Sequence, residues 1–230
     1  MILFLMKFKG PVGLDSPRRY LLLLSSVSIR GSVLLALDFR RLRREDSCMA
    51  LEFTTSCLKD SISLFRYYKR LGDGAIAQTS DEALFATLDA QSNSIAIIVK
   101  HLSGNMRSRW ADFLKSDGEK PDRNRDLEFE APPATRAELL ALWETGWKYT
   151  FDALAPLTDG DLGRTALIRG EAHSVMQTIH RQLGHYAYHV GQMVFIAKHF
   201  SRSNWKSLSV PRGQSAAFNA KVATGKASQR

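Results

Sequence analysis

Six histidines are spread unevenly along the chain: His101 stands alone, while His173, His180, His185, His189 and His199 crowd one later stretch. Within that stretch Met176, Ile179, Leu183, Tyr186, Val190 and Met193 recur at steps of three and four, the stripe of an amphipathic helix. His185 and His189 are i and i+4 on it, each one residue before a stripe member, so both border the buried face in line with Gln182 and Gln192. Two imidazoles one turn apart can bind one metal ion. His101 lies among Ile97, Ile98 and Leu102, where a polar ring is costly unless it is hydrogen-bonded or ligated. The spacing alone leaves core histidines as the alternative. Tyr186 follows His185 where a zinc protease motif needs Glu, which excludes that class. His173, His180 and His199 read as cap, surface and helix-end residues.

The elements that must position these side chains are helices. Leu58, Ile62 and Phe65 begin a first helix that is expected to end near Gly72 and Gly74. Thr79-x-x-Glu82 predicts a capped short helix over Ser80 to Leu88. A second long helix carries Ile95, Ile98, Leu102, Met106, Trp110 and Phe113 and closes before Asp117-Gly118. Asp117 to Ala134, charged and proline-bearing, is long for a helix connection and is a candidate cover for a functional site. Thr135-x-x-Glu138 caps a third long helix to Leu154, whose Trp143 and Trp147 read as core, and Ser174-x-x-Gln177 caps a fourth to about Phe200. Strand signals are nearly absent, Thr165 to Ile168 being too short to count. The expected fold is all-α, an antiparallel four-helix bundle.

A chain of 230 residues with 44% apolar content can build one core unaided. Cys48 and Cys57 form no C-x-x-C pair and read as reduced thiols of a cytoplasmic protein. The net charge of +9 sits at the two ends: Met1–Cys48 carries nine Lys/Arg against four Asp/Glu, the body seventeen against nineteen, and Ser201–Arg230 six against none. The body therefore offers no basic face for nucleic acid. The longest uncharged run in the first 48 residues, Tyr20 to Ile29, is far short of a membrane span. That segment reads as an extension before a domain over residues 49–200, with translation from Met49 or a leader peptide as its two explanations. Residues 201–230 form a basic tail.

Four blocks, Ser92–Met106, Asp112–Lys120, His185–Gln192 and Trp205–Ser215, resemble in order an uncharacterised bacterial branch of the DinB-like superfamily. The resemblance runs from about Met49 to Val222 and leaves Met1–Cys48 unmatched. It implies a four-helix bundle with one divalent metal ion on His101, His185 and His189, zinc first and nickel or iron as alternatives. Three neutral nitrogens with an open coordination position are the pattern of a catalytic zinc site. Superfamily members include thiol-dependent isomerases and transferases acting with mycothiol or bacillithiol. The function so implied is a transferase in which a low-molecular-weight thiol, deprotonated at the open position, attacks a small electrophile. Asn105, one turn beyond His101, Gln192, at i+3 from His189, and Arg181, at i−4 from His185, are the candidates to bind substrate or hold ligands. The same site charged with hydroxide would make a hydrolase. A non-catalytic helical dimer is the third reading, because Gly184, Ala187 and Gly191 form a strip that another helix can approach closely.

Overall fold

In the computed structural model the chain divides into Met1–Ser47 and Cys48–Arg230, and residues 55–228, all within the second unit, are described. The readings placed on Met1–Cys48, on Cys48 and on the start at Met49 lie outside these residues. The described part is mostly helical. Four long helices, α1 (Cys57–Ala77), α3 (Ile95–Trp110), α4 (Arg136–Leu154) and α5 (Val175–Ser201), are joined by a short α2 (Asp81–Phe85) and a two-stranded sheet, and α6 (Ser215–Ala223) follows. Among the described residues no helix is long and apolar enough to cross a membrane.

Each long helix starts where a hydroxyl can satisfy amides that the first turn leaves free. Ser56, Ser94, Thr135 and Ser174 accept from Lys59, Ile97, Glu138 and Gln177 backbone N–H groups, and at Ser174 the Gln177 side chain reciprocates, completing the expected box. The short helix is a correction: its cap is Ser80, Thr79 turns back to donate to the Ala75 carbonyl, and α2 ends at Phe85, where Ala86 becomes extended. A second correction concerns Gly72 and Gly74, through which α1 continues. A Cβ on Gly72 would strike the Trp143 indole and one on Gly74 the Leu208 side chain, so these glycines admit neighbours instead of stopping the helix.

The most extensive helix contacts pair α3 with α4 and α1 with α5, and α3 meets α5 along a narrower seam. Gly146 allows the first pairing: a Cβ there would lie 3.0 Å from Met106 Sδ and Ser103 Cα. Phe65, Trp110, Trp147 and Tyr186 cluster at the centre, with Trp110 Nε1 donating to Tyr186 Oη at 2.9 Å. Every stripe member of α5 packs inward except Met176, which is 41% exposed near the helix start. α3 buries residues around its whole circumference, which is why His101 is only 3% exposed.

Thr165–Ile168, discounted above, pairs with Glu171–Ser174 as an antiparallel hairpin, Ile168 opposite Glu171. Its two-residue turn places both Arg169 (φ 58°) and Gly170 (φ 77°) in the left-handed region, the backbone that matches strand twist. Asp117 makes room for the arginine: its carboxylate accepts from the Arg169 N–H at 2.8 Å, the Gly170 N–H at 2.6 Å and the Glu119 N–H at 2.6 Å. The hairpin thus ties the Asp117–Ala134 connection to the start of α5. Beyond α5, Trp205 and Leu208 pack on the core while α6 buries nothing, so the tail is part body and part surface.

Candidate metal centre

His101 on α3 and His185 and His189 on α5 come together across the seam, each offering one ring nitrogen within 4.8 Å of the others. His101 Nε2 and His185 Nε2 are 3.3 Å apart. Nitrogens bound to a tetrahedral zinc ion at its usual bond length lie about 3.4 Å apart, so the spacing suits a common ion.

The outward nitrogens are already engaged. His101 Nδ1 donates to Glu128 Oε2 at 2.8 Å, and His189 Nδ1 donates to Gln192 Oε1 at 2.8 Å. A carboxylate can only accept, so His101 Nδ1 carries a proton and Nε2 is the nitrogen turned to the centre; the Gln192 oxygen orients His189 in the same way. Burial, reinforced by the other histidines, pushes His185 down to about 3, and burial pushes His189 down to about 4. Both rings are therefore neutral at physiological pH, the form that ligates.

Glu128, 7% exposed, comes from a short 3-10 turn, Asp126–Phe129, in the long connection. Arg123 grips the same carboxylate through Nε at 2.8 Å and Nη2 at 2.9 Å. Burial raises the Glu128 pKa, but the bonds from His101 and Arg123 outweigh it and hold the group below its ordinary value. Gly104 is what admits the carboxylate, since a Cβ there would overlap Glu128 Oε1 and lie 2.8 Å from Cδ. Phe129 covers the His101 ring, with centroids 4.5 Å apart. Through Glu128 and Phe129 the connection lies against His101.

Beside the histidines lies a cavity of about 700 Å³, to which all three contribute. Asn105, Arg181 and Gln192, the candidates to bind substrate or hold ligands, all line it; Asn105 is buried and Arg181 exposed. Gln182, which the sequence places in line with the two histidines, lines it too; the residues that sequence reasoning missed are Asn93, Arg109, Arg123, Arg125, Phe129, Arg169 and Tyr188 on its wall and Glu128 behind His101. For Arg123, Arg125 and Glu128 the density of charge in the connection was the one sequence signal. A second, apolar groove of about 520 Å³, walled by Leu88, Ile98, Phe195 and Ile196, shares Asn93, Tyr188 and Gln192 with the first. The remaining histidines stay apart: His173 Nδ1 contacts the Glu171 carbonyl, His180 is exposed 3.9 Å from Cys57 Sγ, and His199 is exposed at the end of α5.

Fold and site together define a mostly helical protein with three histidines placed to bind one metal ion. The chain belongs to DUF1572, a family of proteins of unknown function, whose family model matches residues 52–214. No curated protein and no solved structure matches it.

Proposed function

We propose that the described residues form a DinB-like four-helix bundle that holds one divalent cation, zinc in the first instance, on His101, His185 and His189 and transfers a low-molecular-weight thiol to a small electrophile. The observation that carries this reading is the orientation of the three rings: the Nδ1 atoms of His101 and His189 are tied to Glu128 and Gln192, and one nitrogen from each of the three rings lies within 4.8 Å of the others. A bound cation supplies a Lewis acid able to lower the pKa of a thiol at its open position. The chain's own side chains do the rest. Glu128 and Gln192 fix the ring orientations, Phe129 shields His101 from water, and Asn105 and Gln182 present amide groups at the cavity wall. Two adjoining compartments, one cationic and one apolar, favour a two-substrate transfer over hydrolysis: the thiol enters the first and the electrophile lies in the second.

The test is conjugation of a model electrophile with bacillithiol, mycothiol and glutathione side by side at pH 6.5 to 7, below the free-thiol pKa of about 8.5. Expected is turnover that disappears with chelator and in His189→Ala protein. Equal background rates for both proteins with every thiol would defeat the transferase reading, and ester or amide turnover without thiol would replace it with the hydrolase.

A non-catalytic helical dimer has one observation of its own. A Cβ built on Gly184 or Gly191 meets nothing among the described residues, and Tyr188 and Phe195 on the same outer side are 63% and 65% exposed. Sedimentation of the protein and of a Phe195→Glu variant decides whether a second copy covers this face.

A further inference from the structure

The cavity next to the histidines is more positively charged than its structural ion pairs require. Arg109, Arg123, Arg125, Arg169 and Arg181 line it, and no Asp or Glu does. Two carboxylates behind the wall serve most of these cations. Glu128 holds Arg123 together with His101, while Glu119 alone meets Arg109 at 3.1 Å, Arg123 at 3.4 Å and Arg169 at 3.0 Å. Arg125 reaches only the exposed Asp126, at 3.9 Å, and Arg181 has no ion-pair partner among the described residues. Like charges gathered around a recess repel one another and raise the local concentration of anions.

Unpaired polar atoms mark the same wall. Among the described residues four buried polar side-chain atoms have no hydrogen-bond partner, and three belong to residues of this wall: Arg109 Nε, Asn105 Oδ1 and Gln182 Oε1. Their residues are 5%, 5% and 1% exposed. Leaving such atoms unpaired is costly, and three of them on residues of one wall set that wall apart from the rest of the core.

We infer that the cavity binds a small dianion, a dicarboxylate or a phosphate monoester, with its charged end among Arg109, Arg169 and Arg181. The inference rests on the cavity being a substrate site, and it names the charge of the cosubstrate; it does not depend on the cation. The three arginines come from α3, the hairpin turn and α5, so the dianion is gripped where the elements carrying the site converge.

The experiment is calorimetric titration of the full chain, dialysed free of metal, with inorganic phosphate, succinate and the neutral analogue succinamide. Phosphate or succinate binds and succinamide does not, and the tighter of the two anions identifies the source of the charge. Arg181→Gln and Arg169→Gln each weaken the anion by about tenfold or more, the worth of one charged hydrogen bond. Arg181 is exposed and unpaired, so its variant folds and is the decisive one. His189→Ala keeps the anion while losing zinc, which separates this inference from the metal reading. If no dianion binds better than succinamide, or if both arginine variants bind it as the parent does, the inference is overturned.

Discussion

Glu128→Gln keeps the size and one acceptor oxygen of the side chain and removes its charge. In the native protein that carboxylate accepts three bonds, from His101 Nδ1, Arg123 Nε and Arg123 Nη2, all between 2.8 and 2.9 Å. An amide cannot accept all three, because half of its polar end donates. Either Arg123, whose side chain is 3% exposed, loses a partner, or His101 loses the acceptor that orients it. Replacing such an outer partner of a ligating histidine typically costs 10- to 100-fold in metal affinity, about 1.4–2.7 kcal/mol. The assay is competition for zinc against a chromophoric chelator at neutral pH, with metal-free melting measured alongside. Glu119→Gln is the control, since Glu119 pairs with three arginines but touches no histidine; it lowers the melting temperature and leaves zinc affinity close to native. Unchanged zinc affinity in the Glu128→Gln protein would refute the argument that the connection tunes the site.

Gly104→Ala tests the same contact from the other side. A helical Gly→Ala change ordinarily stabilises by about 0.8–1 kcal/mol, but here the methyl displaces Glu128, so the variant loses stability and zinc affinity together; a higher melting temperature would contradict this. The metal-free protein loses stability as pH falls from about 6.5 towards 4 and then 3, because the unfolded chain takes up protons that buried His185 and His189 refuse. Thermal melts across that range check it, and His185→Asn flattens the profile. Asp117→Ala removes the acceptor for the Arg169 and Gly170 amides, so the hairpin melts early in hydrogen exchange while α3 and α4 stay protected; uniform protection would show that the turn stands without it.

Helix positions and the His185/His189 pair were legible because both follow from period and capping, which are local. Pairing His101 with them required the family resemblance, since spacing within one helix says nothing of which helix lies opposite. Glu128, Arg123 and Arg169 were not legible. They sit on a connection and a turn without periodicity, and their placement depends on a glycine on another helix and a carboxylate 52 residues before the turn. Gly72 and Gly74 misled for the converse reason. Reading glycine as a helix stop assumes an isolated helix, whereas Trp143 and Leu208 press against α1 at those positions.

The seam between α3 and α5 carries a further consequence. It is the narrower contact between two well-packed helix pairs, and His101 and His185 face each other across it from positions 84 residues apart. Any ion or molecule gripped from both sides therefore acts as a cross-link. In chain-entropy terms, closing a loop of that length is worth about 4–5 kcal/mol if the bridge holds through unfolding. Occupancy would be read out far from the centre, as slower separation of the α3–α4 half from the α1–α5 half, and the protein's lifetime against proteolysis would report what it is carrying.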